Sequence, residues 1–309
     1  MGGPPARRIT ALVALIDRVL APESSFQKRF FFVARRFVAG ETIDDALAVV
    51  AALNEQGMSA TLDFLGEDVT VRSDALHTRD VYFEMIDAIK RRGLNSNVSI
   101  KLSALGLLIS EDLAVENLSS IAEQAAGNKD PFVRIDMEGS ACTQPTLRIF
   151  ERVFASHSDV GPVLQALLKR TAADVDRMIE LKARVRLCKG AYKEPPDIAY
   201  QAMPTIRREY LRLAERLLSS GNYPGIATHD LRLIGAIKAY ASHNAIAPDR
   251  FEFQMLYGVR PHVQRELVSE GYRVRIYIPF GTHWAAYFYR RVLERKENAI
   301  FALSSIFSR

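Results

Sequence analysis

A short β-type run, a loop and then a stretch of helical periodicity recur along most of this chain, and that alternation limits the fold more than any other feature. The runs are "ATLDFLGE" from Ala60, "NVSIKLSALG" from Asn97, "FVRIDMEG" from Phe132, "PVLQALL" from Pro162, "RVRLCKGAY" from Arg184, "GIATHD" from Gly225, "FEFQML" from Phe251 and "VRIYIPFG" from Val274. Segments between them, such as "TRDVYFEMIDAIKRRG" and "DLRLIGAIKAYASHN", space apolar residues three and four apart, as a helix with one buried face requires. Ser110, Thr171 and Asp230 stand where N-caps belong, and Thr171 has Asp174 three residues on. The repeat is about 30 residues, the length of a βαβ unit. Eight such units predict an α/β fold, a parallel (β/α)8 barrel of the TIM type, ahead of a doubly wound sheet with fewer strands.

Residues 1–57 precede the first run and read as a helical extension. Its apolar residues Phe30, Phe31, Phe32, Val33, Phe37, Ala46, Val49, Val50 and Leu53 are expected to pack on the outside of the barrel. No Pro/Gly/Ser-rich linker divides the 309 residues, so one domain spanning 1–309 is expected. With 48% hydrophobic and 25% charged residues, disorder does not dominate. The net charge of +5 is scattered rather than clustered, which argues against a nucleic-acid partner. "RRITALVALIDRVLAPE" imitates a signal peptide, but Asp17 ends its apolar run, and no stretch approaches the ~20 apolar residues of a membrane span. Cys142 and Cys188 lack CxxC spacing and read as buried thiols of a reducing compartment, which places the chain in the cytoplasm. The basic balance and the amphipathic N-terminal helix suit a weak peripheral hold on the inner, anionic face of a membrane.

Barrels of this type assemble their chemistry at the C-terminal ends of the strands. Polar residues fall there: Lys101, Asp136, Glu138, Gln165, Arg186, Lys189, Thr228, His229 and Gln254. Any one of them alone can simply satisfy a loop backbone, but burying so many charges with no ligand is costly. In "LCKGAY" a glycine lets the backbone approach a ligand while Lys189 faces an anion, and "ATHD" precedes a helix start with the same preference. The six histidines are dispersed with no two-His-one-carboxylate spacing, so no metal site is read. In "YFYRRVLERKENAIF", Tyr287, Arg290, Arg291 and Glu294 share one helix face. Two readings stand side by side. One is a solvated face with an Arg290–Glu294 ion pair; the other is a bidentate carboxylate clamp walled by Tyr287.

The ordered set "SIKLSALG", "VRIDMEG", "VLQALLKR", "RLCKGAY", "ATHD", "FEFQMLYG" and "YIPFGTHWAAYFYRRVLERKENAIF", from Lys101 to Phe301, closely resembles the proline dehydrogenases, flavoenzymes that begin proline breakdown. The resemblance implies a barrel that holds FAD noncovalently, oxidises L-proline to Δ1-pyrroline-5-carboxylate and passes electrons to a membrane quinone. It assigns the substrate carboxylate to Arg290, Arg291 and Lys101, the pocket around the ring to Tyr277, Tyr287 and Leu256, the orientation of Tyr277 to Asp136, and support of the arginine pair to Glu294. It assigns FAD contacts to Gln165, Arg186, Lys189, Gly190, Ala191, Thr228 and His229, with Arg186 near the isoalloxazine ring. The chain resembles the monofunctional form, whose product must reach a separate pyrroline-5-carboxylate dehydrogenase. Lys193 departs from relatives with an aromatic residue there, and "GTHWAAY" is shorter than the matching loop of the large bifunctional forms. Two other readings compete: a flavin barrel of the folate reductase kind, and a noncatalytic barrel whose basic mouth binds an anion.

Overall fold

The computed structural model describes residues 35–284. Eight strands form one closed barrel in sequence order: β1 Ser59–Phe64, β2 Ser96–Ile100, β3 Val133–Ile135, β4 Val160–Gln165, β5 Arg186–Cys188, β6 Gly225–Ala227, β7 Glu252–Leu256 and β8 Arg273–Phe280. Every pairing is parallel, and β8 closes on β1 in the register Thr61 with Tyr277 and Asp63 with Pro279. The helices are α1 Ile43–Glu55, α2 Arg72–Arg91, α3 Glu111–Ala125, α4 Ser140–Phe154, α5 Thr171–Glu180, α6 Met203–Ser220, α7 Leu231–His243 and α8 Pro261–Ser269. The expected barrel is therefore the observed one. Strands β3, β5 and β6 are shorter than their β-type runs, because the chain leaves the ladder early to enter the loops above it.

Alternation along the strands separates two environments. Ala60, Leu62, Val98, Ile100, Val133, Ile135, Phe253, Met255, Val274, Ile276, Ile278 and Phe280 join helix residues in one apolar core between strands and helices. The intervening positions are polar and buried: Thr61 and Asp63, Asn97 and Ser99, Arg134, Glu252 and Gln254, Arg275. These face into the barrel, since Arg186 of β5 reaches Ser99 of β2 and Gln254 of β7. Branched apolar residues usually fill such an interior. Here it is a hydrogen-bonded polar network, with the apolar core displaced to the surrounding shell.

Capping chemistry sets several helix starts. Ser110 accepts from Asp112 N and Asp230 from Arg232 N, as their positions predict. Thr171 is a correction. It is the first residue of α5, the preceding Arg170 pairs with Asp174 at 2.8 Å, and the Thr171 hydroxyl donates to the Gln165 carbonyl at 2.6 Å. Thr171 thus ties α5 to the end of β4 instead of capping the helix. Helix α1 opens with a capping box between Thr42 and Asp45 and packs against both β1 and β8, over the seam where the barrel closes. It buries Ala46, Val50 and Leu53, three of the residues expected to face the barrel; Phe30 to Val33 lie outside the described residues. Cys142 and Cys188 are half-buried thiols, a correction to the expectation of buried ones, and Cys188 Sγ donates to the Leu164 carbonyl at 3.5 Å.

Candidate active site

Two clusters meet at the C-terminal end of the barrel. The first is built on Arg186, the opening residue of β5. Its Nη1 donates to Asp136 Oδ1 at 2.7 Å, its Nη2 to Ser99 Oγ at 3.0 Å and its Nε to Gln254 Oε1. The second Asp136 oxygen accepts from the Tyr277 hydroxyl at 2.8 Å, and the guanidinium lies 5.3 Å from the Tyr277 ring centroid. Asp136 and Tyr277 are thus direct hydrogen-bond partners. Beside it, Lys101 Nζ sits 2.7 and 2.8 Å from the two oxygens of Asp63, a fully buried residue at the end of β1. Burial disfavours the Lys101 ammonium, but the charges of Asp63 and Asp136 outweigh that and hold it above the ordinary lysine range. Burial pushes Asp63 up, Lys101 pulls it back, and Asp136 pushes it up again.

The second cluster surrounds Asp230 at the start of α7. Lys189 Nζ and Arg207 Nε each donate to Asp230 Oδ2 at 2.7 Å, and the Asp230 N–H donates to Thr228 Oγ1 at 3.1 Å. Burial works against the charged carboxylate, yet the hydrogen bonds from Lys189 and Arg207 outweigh it and bring Asp230 down to about 2. Two cations sharing one carboxylate leave a net positive charge beside a helix N-terminus, a setting that favours an anion. His229 Nε2 accepts from the Leu256 N–H at 2.8 Å, so a residue assigned to the flavin fixes the backbone of one assigned to the substrate.

A third set joins the loops. Glu138 accepts from both the N–H and the hydroxyl of Ser103, Ser103 Oγ accepts from Asp68 N at 3.1 Å, and Gln165 Nε2 donates to the Glu138 carbonyl at 3.0 Å. Loops after β1, β2 and β3 are thereby bound to the end of β4. Burial raises the Glu138 carboxyl despite the Ser103 bonds. Gly190 has φ +104°, and a Cβ there would lie 2.0 Å from Leu167 Cδ2, so the glycine is required by the neighbouring loop as well as by any ligand approaching its backbone.

Lys101, Asp136, Gln165, Arg186, Lys189, Gly190, Thr228, His229, Leu256 and Tyr277 therefore converge on one mouth. Ala191 lies in the loop after β5 and is exposed, and Tyr287, Arg290, Arg291 and Glu294 lie outside the described residues. Sequence reasoning missed Asp63, Ser99 and Arg207, and saw Asp230 only as a helix cap. For Asp63 and Ser99 the signal was present: each stands on the polar side of a strand alternation, in "TLDF" and "NVSI". What the mouth supplies chemically is orientation and field, from cations held in place by carboxylates and a phenol.

The proline dehydrogenase family profile matches residues 46–303 of this chain. Proline dehydrogenase 1 of Bacillus subtilis is 42% identical over 273 residues, covering 88% of this chain and 90% of that protein. The proline dehydrogenase of Deinococcus radiodurans is 37% identical over 301 residues, covering 96% of each. The bifunctional protein PutA of Escherichia coli is 32% identical over 87% of this chain, a match that takes in 24% of its own length. Among solved structures, proline utilization A from Bdellovibrio bacteriovorus, inactivated by N-propargylglycine, superposes with a TM-score of 0.83 at 24% identity, over 93% of this chain and 37% of that one. The superposition shows the shared barrel fold. The family profile and the two dehydrogenases matched over nearly their whole lengths establish the kinship, and this chain belongs to the proline dehydrogenase family.

Proposed function

We propose that this enzyme, an oxidoreductase of proline catabolism, converts L-proline to Δ1-pyrroline-5-carboxylate using a noncovalently held FAD and passes the electrons to a quinone. The product would then go to a separate pyrroline-5-carboxylate dehydrogenase. The observation that carries the reading is the pair of clusters at one mouth: Lys101, Asp136, Arg186 and Tyr277 on one side, Lys189, Arg207 and Asp230 on the other. The donor set fits FAD. A diphosphate needs cations and N–H donors, which Lys189, Arg207 and the start of α7 supply, and Gln165, Gly190, Ala191, Thr228 and His229 belong to the same loops. When bound, the flavin supplies the hydride acceptor.

The chain's own residues have the tasks of holding and excluding. Lys101, with Arg290 and Arg291 of the segment after β8, takes the substrate carboxylate, while Tyr277, Tyr287 and Leu256 wall the pyrrolidine ring. Glu294 braces the two arginines. Hydride leaves the ring only if the ring nitrogen is neutral, and the fixed cations at the carboxylate favour a pose that leaves the nitrogen unpaired with them. Arg290→Ala or Arg291→Ala is expected to raise KM about ten- to a hundredfold, the loss of a charge-assisted pair worth about 1.5–3 kcal/mol. An unchanged KM in both variants would remove the clamp.

The visible spectrum of the purified protein, before and after anaerobic addition of L-proline, tests the whole reading. Flavin bands that bleach with proline support cofactor and substrate together. Bands that ignore proline but respond to NADH favour the folate reductase kind, and a colourless protein that takes up no added FAD favours the noncatalytic anion-binding barrel. No helix among the described residues is long and apolar enough to cross a membrane. The basic balance of the sequence supports a peripheral contact with the quinone pool, and binding equal on neutral and anionic liposomes would remove its electrostatic part.

A further inference from the structure

Among the described residues, Asp63 is a carboxylate on the floor of the mouth that neither the sequence motifs nor the cofactor reading uses. It is fully buried on β1, and both of its oxygens accept from one ammonium, Lys101 Nζ just after β2, at 2.7 and 2.8 Å. Lysine is a flexible point charge with rotatable donors, unlike the planar guanidinium. A carboxylate that takes it on both oxygens removes that freedom and fixes where the charge stands.

The surroundings fit this task. Four charges share the floor: Asp63 and Lys101, Asp136 and Arg186. Asp63 is the largest influence offsetting the burial that disfavours the Lys101 charge, with Asp136 and Glu67 adding to it. Groups facing the pair from adjoining elements are Asp136 just after β3, Glu138 in the loop beyond it, Tyr277 on β8, Tyr82 on α2 and Glu67 in the loop after β1. Tyr82 is itself spoken for, donating to the Ser99 carbonyl at 2.7 Å. An ammonium carries three protons, one more than its two bonds to Asp63 use.

We propose that Asp63 is a positioning residue for proline oxidation: it holds the Lys101 ammonium charged and aimed, so that the cation meets the substrate carboxylate without reorganisation. The proposal rests on the reading that Lys101 contacts that carboxylate. Asp63 also interacts with Tyr277 and Asp136, so the Lys101→Met background is what isolates the part of its effect that runs through Lys101.

The experiment is a double-mutant cycle on the flavin-loaded enzyme with Asp63→Asn, Lys101→Met and the double variant, with KM and kcat for L-proline followed across pH. Asp63→Asn is expected to raise KM about tenfold or more, with kcat within about threefold of the wild type. Its alkaline limb of kcat/KM should also move to lower pH. Lys101 is charged below its pKa, and with Asp63 neutralised the burial that opposes that charge is less well offset, so the lysine loses its proton sooner as pH rises. In the Lys101→Met background the Asp63 change should add nothing. A wild-type KM and pH profile in Asp63→Asn, or a full further loss in the double variant, overturns the proposal and marks Asp63 as structural. A wild-type KM in Lys101→Met sinks the underlying carboxylate reading instead. If Asp63→Asn does not fold, Asp63→Glu takes its place: it keeps the charge but displaces it, and a wild-type KM there counts equally against the proposal.

Discussion

Asp136 shows how tightly single groups are committed at this mouth. One oxygen is taken by Arg186 and the other by the Tyr277 hydroxyl, while the Tyr277 ring lies against the same guanidinium. Tyr277→Phe keeps the ring and deletes only the donor, leaving a largely buried carboxylate oxygen without its partner. The cost of such a loss is about 1.5–3 kcal/mol for a charged acceptor. If Tyr277 orients the pocket through Asp136, kcat/KM for L-proline should fall about ten- to a hundredfold. Steady-state kinetics of the variant checks this, and an unchanged value would confine Tyr277 to a packing role.

The strands carry a second message at the scale of elements. On β4, Gly161 lies beside Arg134 of β3 in the barrel register, and a Cβ at Gly161 would stand 2.1 Å from the Arg184 carbonyl oxygen and 2.7 Å from Phe132 Cζ. The nearest obstacle is backbone, which cannot swing aside as a side-chain tip can. Gly161→Ala is therefore expected to lower stability by about 1–3 kcal/mol, read as a lower denaturant midpoint with an unchanged slope. Thr42→Ala is the milder counterpart. It removes the capping box of α1 at a cost of about 1 kcal/mol, and loosens the helix that covers the β1/β8 seam.

Across the whole molecule, the polar barrel interior makes stability depend on charge. Arg275 of β8 pairs with Glu252 of β7 at 2.7 Å and with Asp130, just before β3, at 2.9 Å, so one arginine links distant parts of the barrel. Burial opposes the Glu252 charge, but Arg275 outweighs it and lowers the carboxyl from 4.5 to about 2. A depressed folded-state value stabilises the fold above the unfolded value and loses that contribution as pH falls through the folded one. The stability difference between wild type and Glu252→Gln should thus be complete above pH 4.5 and fade toward about 2. Denaturation measured across that window tests it. A constant difference would mean that Glu252 acts through packing and not through its charge.

The sequence by itself determined the strand and helix alternation, hence the barrel, because the periods of two and about 3.6 residues are local properties of each segment. It also put Lys101, Asp136 and Arg186 at strand ends, since a strand's C-terminal end is set by its own run, though Asp63, Ser99 and Arg207 were not singled out; the caps Ser110 and Asp230 followed from their immediate neighbours. Only the tertiary structure decided who pairs with whom. Lys101 and Asp63 are separated by 38 residues in sequence, Arg186 and Ser99 by 87, and Tyr277 and Asp136 by 141. Such partners meet only once the sheet has closed, so no local pattern announces them. Thr171 is the clearest case. Its neighbours spell a helix cap, but the end of β4 comes within reach in the folded chain, and the Thr171 hydroxyl joins the Leu168 N–H on the buried Gln165 carbonyl, which has two lone pairs to accept both.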